Sequence, residues 1–140
     1  MKRRDLLEIW AVLQEIGDIK AGVAFNYALG KNYRKLKPEI EDLQKPLEEK
    51  RMALIKEYAE KDESGKPVIV SDGVMQKYKF LDGNEEKFNI EFEPIREEFE
   101  KLLDEEVTDF SFHLIELQNF PELTTRQMRI LMPMIKEPAE

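Results

Sequence analysis

Residues 29–62 read LGKNYRKLKPEIEDLQKPLEEKRMALIKEYAEKD, and the rest of the chain is organised around them. Apolar side chains fall at Leu29, Tyr33, Leu36, Ile40, Leu43, Leu47 and Leu54, in alternating steps of four and three until Lys50 interrupts the series. That spacing puts one narrow apolar seam along a long helix and leaves the other faces charged. A seam of this kind needs a cover. The second stretch able to supply one is Phe88, Phe92, Ile95, Phe99 and Leu102, with the same four-three spacing. The two together predict a long antiparallel helical hairpin, coiled-coil-like, within a mainly α chain that carries a small β element.

Working outward, residues 5–16 predict a short helix with a wide apolar face that holds the only tryptophan, Trp10. Gly17 is placed to end it, and Asp18 to cap the next helix. The long helix is expected over 18–62, with an elbow possible at Gly30. Pro38 and Pro46 lie inside it, and each costs about 3 kcal/mol or more in a helix interior. Proline in a first turn is favoured, so KPEIEDL could also open a new helix. Because the seam stays in phase across both prolines, one bent rod is the preferred reading.

The helical pattern stops at KDESGKPVIVSDG. Ser64-Gly65 is a turn dipeptide, Pro67 forces extended backbone on its neighbour, and Val68, Ile69 and Val70 favour a strand. A β-hairpin is expected over 66–81, pairing 67–70 with 76–80 and turning at Ser71, Asp72 and Gly73. A lone hairpin is marginal in water, so it must pack on helix ends or borrow a third strand. An acidic helix is expected over 84–104, with Asn84 as cap and Pro94 inside it. Residues 107–117 alternate as a strand would and could supply the third strand of the small sheet. A short helix over 124–132, capped by Thr124 or Thr125 and ended by Pro133, closes the chain, and the last residues should fray. One domain, 1–140, accommodates all of this.

Composition narrows the function. The 140 residues are 37% charged with a net charge of −8, and cysteine is absent, which removes disulfides, thiolate metal sites and a Cys nucleophile. The acidity is concentrated: residues 84–106 hold ten carboxylates against three cations. Phosphate binding needs clustered cations, so direct nucleic-acid binding is not expected. The one basic cluster, Lys31, Arg34, Lys35 and Lys37, reads as a solvated face complementary to the acidic helix. Asp5, Glu8, Gln14 and Glu15 break the apolar run that a secretion signal would need, and no stretch is long enough to cross a membrane. A soluble intracellular protein is expected, with no membrane association.

Residues with chemistry are few. His113 is the only histidine and has no second His or Cys to make a zinc site, nor a clear triad around it. Asp82, Asn84, Glu86 and Glu93 fall at calcium-loop positions one, three, five and twelve, but the obligatory glycine is replaced by Lys87. No catalytic residue, metal or cofactor is assigned.

The order KNYRKLKPEIEDL, LIKEYAEKDESGKPVI, then a Phe-containing acidic helix ending LLDEEV, resembles small uncharacterised helical proteins of tailed bacteriophages and prophages. The turn EYAEKDESGKPVI is its most specific piece. The resemblance implies a viral protein in the host cytoplasm or on the virion, acting in assembly or in managing the host, and it transfers no functional residue. Three expectations are carried forward. The first is a protein-binding assembly or tail-associated factor, oligomeric through the rods and the Trp10 face. The second is an anti-defence inhibitor that sets Glu97, Glu98 and Glu100 against a basic site on a host nuclease. The third is a small-molecule binder with a pocket where the hairpin meets the rods, lined by Tyr58, Tyr78 or Phe80.

Overall fold

A computed structural model describes residues 1–71, 73 and 75–136. Asp72 of the expected hairpin turn, Val74 after it, and the terminal 137–140 expected to fray lie outside the described residues. The elements in order are α1 (Arg3–Ile16), α2 (Val23–Tyr58), β1 (Ile69–Ser71), β2 (Gln76–Tyr78), α3 (Asn84–Leu103), β3 (Ile115–Glu116), α4 (Thr125–Ile130) and β4 (Ile135–Lys136), with 3-10 turns at Leu117–Asn119 and Met132–Met134. The chain is mainly helical with a helical hairpin and a small antiparallel sheet. Where the composition suggested one domain, the fold has two compact units: Met1–Asp42 with Leu103–Glu140, and Leu43–Leu102. α2 contributes to both.

The first unit holds most of the buried apolar residues. Leu6, Ile9, Val12, Leu13 and Ile16 of α1 meet Phe25, Ala28, Leu29, Leu36 and Ile40 of α2, and Phe112, Ile115, Leu131 and Met134 complete the cluster. α1 thus uses its wide face inside its own unit. The 18–22 segment is not helical: α2 begins at Val23, with the Asn26 amide on the Gly22 carbonyl at 3.1 Å. Asp18 is therefore no cap. The Asn26 side chain donates to the Ala21 carbonyl and holds this connection instead. Gly17 does follow α1, in right-handed backbone (φ −59°), so no left-handed cap is involved.

Pro38 and Pro46 neither end α2 nor open a new helix. Buried Leu36, Ile40 and Leu43 flank Pro38 on the seam while both prolines stay exposed. Packing of the seam outweighs the missing hydrogen bonds. α3 likewise continues through Pro94.

The segment 107–117 corrects the sequence reading. Only Ile115–Glu116 is a strand, and it pairs in parallel with Ile135–Lys136, not with the hairpin. The backbone ahead of it is occupied by other partners. Val107 N–H donates to the Met1 carbonyl, Lys35 Nζ to the Ser111 carbonyl, and the side chain of Asn32 holds His113. Backbone groups already paired this way have no need of a sheet. At the other edge of this unit, Arg3 and Arg4 meet Glu105 and Asp104, and the terminal amine meets Glu106.

The second unit contains the hairpin of helices. Lys50 of α2 faces Glu98 of α3 at 3.7 Å, and Asn84 Nδ2 donates to the Tyr58 carbonyl, an antiparallel register. The α2 seam does not stop at Lys50. It passes through half-buried Leu47, Arg51 and Leu54 to buried Ile55 and Ala59. The Arg51 stem covers apolar surface that a hydrophobic residue would otherwise take. α2 ends at Tyr58, four residues before the expected end, because residues 59–61 become extended. Ala59 bridges Phe80 and Lys61 bridges Pro67.

The hairpin register is Ile69 with Tyr78, Val70 with Lys77 and Ser71 with Gln76. The third partner it needed is thus the short extended piece after α2. KDESG makes the return: Asp62 Oδ1 accepts from the Ser64 N–H, the Ser64 hydroxyl and the Lys66 N–H, and Gly65 takes the left-handed φ of +82° that the turn requires. These hydrogen bonds hold the Asp62 carboxyl below its usual range, led by the one from Ser64.

Candidate functional site

The candidate site lies within the second unit, under the hairpin. Ile55 of α2, Ile69 and Tyr78 of the strands, Phe80, and Phe88 of α3 wall a cavity of about 360 Å³. That is within the range of small-ligand cavities, about 300–1,000 Å³. Arg51, Gln76, Lys77 and Glu85 supply its polar groups. Phe80 and Phe88 meet at 5.2 Å between ring centroids, and Phe88 stacks on Phe92 at 5.6 Å. The aromatic row exists because Phe88 and Phe92 are four apart on one helical face.

Of the three residues expected to line such a pocket, Tyr78 and Phe80 do so and Tyr58 does not. The Tyr78 hydroxyl has the Met52 sulfur at 3.9 Å, a weak acceptor. The Glu91 carboxylate lies beside the Tyr58 hydroxyl. That carboxylate, with burial and nearby Glu57, pushes the phenol up to about 12. Arg51, Glu85 and Phe88 were not expected here. Arg51 follows Leu47 by four on the seam, the signal that could have placed it.

The acidic helix presents Glu97, Glu98 and Glu100 to solvent. Glu98 meets Lys50. Arg96 is bound by both oxygens of Glu93, at 2.6 and 2.8 Å, which raises its pKa, with Glu100 and Glu97 adding charge nearby. Its seam residues Phe88, Phe92, Ile95, Phe99 and Leu102 are all half-buried, none reaching the burial of the first unit's core.

Trp10 is brought to Tyr33 of its own chain, stacked at 4.8 Å between centroids. Near it, a wider recess of about 530 Å³ in the first unit is lined by Leu13, Gln14, Asn26, Leu29 and Tyr33 among others. His113 is half-buried and is held through its backbone, not its ring. Asn84, Glu86 and Glu93 of the calcium-like stretch are spread along α3, and among the described residues no three His, Cys, Asp or Glu converge as a metal-binding group. No helix of the described residues is long and apolar enough to cross a membrane.

Comparison with protein-family models, with curated proteins and with solved structures finds no match to this chain.

Proposed function

We propose that the chain is a non-enzymatic protein-binding protein, and that α3 is its binding element, docking on a basic surface of a protein partner. The observation behind this is the combination of charge and incomplete cover on one helix. Seven carboxylates stand against three cations between Asn84 and Leu103, beside a seam whose five apolar residues remain half-exposed. Ile90 of the same helix, off the seam, is 65% exposed. Apolar surface rimmed by one sign of charge suits a complementary partner: the charge steers approach and the apolar area holds it. A second copy is the poorer fit for this face, since α3 against α3 would bring like charges together.

An assembly or tail-associated role in a phage, as the resemblance implies, needs only this kind of contact. An anti-defence inhibitor is the special case in which the basic surface is a nuclease cleft. The reading asks for no catalytic residue and no cofactor.

The experiment is affinity capture with the wild type and with Glu97→Gln/Glu98→Gln/Glu100→Gln, followed by salt titration of any partner retained. The three side chains are exposed, so the variant should fold. A partner lost by the variant and released as salt shortens the screening length supports the reading. A partner held equally by the variant and at high salt sinks it. Displacement by duplex DNA would identify the inhibitor case.

A further inference from the structure

We infer that the cavity under the hairpin is a binding site for a small amphipathic carboxylate, its apolar body among Ile55, Ile69, Phe80 and Phe88 and its carboxylate toward Arg51 and the Tyr78 hydroxyl. The argument rests on different residues from those of the α3 docking face, so either can fail without the other.

The walls decide the body of the ligand. Ile55 and Ile69 with Tyr78, Phe80 and Phe88 line a partly open space, and the Phe80 and Phe88 rings meet at a tilt of 41°. The space belongs to the part of the fold with least core of its own. Among the described residues between Leu43 and Leu102, only Leu43, Ile55 and Ala59 are buried apolar residues, whereas Ile69 is 55% exposed. An apolar guest would cover surface that the chain leaves to water.

The lining charges decide the head. Arg51 brings a guanidinium and Tyr78 a hydroxyl donor to the recess, a pair that suits an anionic acceptor, and Glu85 adds one carboxylate that discourages a larger negative charge. Arg51 is engaged by Glu48 at 3.0 Å, an exposed i,i+3 pair of the kind that contributes little, and the guanidinium keeps further N–H donors. The Tyr78 hydroxyl, whose contact is the Met52 sulfur, would gain a far better acceptor in a carboxylate oxygen.

The test is isothermal titration of the full chain with 4-phenylbutyrate, its neutral amide and 4-phenylbutylamine, three heads on one body. Saturable one-to-one binding of the carboxylate is expected, at least tenfold tighter than the amide, with the amine weakest. Arg51→Gln and, separately, Tyr78→Phe should each weaken the carboxylate by about tenfold and change the amide less. Tyr78→Phe removes a single hydroxyl, so it keeps the test valid should Arg51→Gln impair folding. Equal binding of the three heads, no saturable binding, or binding untouched by either variant would overturn the proposal; the last would place the ligand in another recess.

Discussion

Asn32 of α2 holds the backbone of His113, 81 residues later, at both ends. Its Oδ1 accepts from the His113 N–H at 2.7 Å and its Nδ2 donates to the His113 carbonyl at 2.9 Å. Asn32 is fully buried and is the buried polar residue of the described chain. A primary amide matches a peptide group because it carries one donor and one acceptor side by side. Asn32→Ala leaves both His113 groups without those partners, and a loss of about 2–3 kcal/mol is expected in urea unfolding. His113→Ala should cost under about 1 kcal/mol, since the ring takes no part in the clamp. Equal costs would show that the ring, not the backbone, matters.

Trp10 and Tyr33 make the second test. Trp10→Ala should destabilise by about 2–4 kcal/mol through lost burial and stacking, and Trp10→Phe by under about 1.5 kcal/mol. Light scattering behind size exclusion separates this from a role between chains. The stack within the chain predicts an unchanged mass for both variants. A drop to a smaller species would return Trp10 to an oligomer interface.

Prolines 38 and 46 stand exposed inside an unbroken helix. Each leaves the carbonyl four residues earlier without its helical donor. Pro38→Ala and Pro46→Ala should each stabilise the chain by about 1–3 kcal/mol, less whatever flexibility alanine returns to the unfolded state. Thermal unfolding checks this, and a lower Tm would mean that the prolines serve a geometry the fold needs.

Acid should loosen two places first. Arg126 grips both oxygens of Glu15 at 2.7 Å, linking α4 to α1, and with Gln127 it lowers the Glu15 pKa from 4.5; the Asp62 turn lowers that carboxyl from 3.8. A carboxyl depressed in the folded chain contributes stability that is complete above its unfolded pKa and lost as pH falls through the folded one. The loss therefore begins below about pH 4.5. Arg126→Ala should remove the Glu15 part, seen as a shallower acid limb in stability against pH.

Tyr58 gives the alkaline counterpart. Its phenol is raised from 10 to about 12, so the neutral form is favoured in the folded chain. The associated stability is complete below pH 10 and lost between 10 and 12 as the unfolded phenol ionises first. Spectrophotometric titration should show one late tyrosine that is absent in Tyr58→Phe. Glu91→Gln should bring it back toward 10.

Local features were legible in the order of residues. The seam through Leu29, Leu36, Ile40 and Leu43 is read from periodicity. The Thr124 cap, which accepts from the Gln127 N–H while the Gln127 side chain accepts from the Thr124 N–H, is written in four consecutive residues. So is the Asp62–Gly65 turn. Of the candidate site, Tyr78 and Phe80 were legible from their place beside the helix ends, but Arg51 was hidden because a charged residue on a seam looks like a break in it.

What only the tertiary structure decided is the partner of each backbone group across long separations. Residues 107–114 alternate like a strand, yet Asn32, Lys35 and Met1 take their hydrogen bonds. α2 runs through two prolines because apolar contacts from α1 and the closing segments hold its seam on both sides of the first. Sequence by itself determines periodicity, caps and turns, which depend on neighbours within a turn or two. The choice among distant partners depends on which of them bury the most apolar surface while leaving no buried polar group unpaired, and that is settled only when the chain is folded.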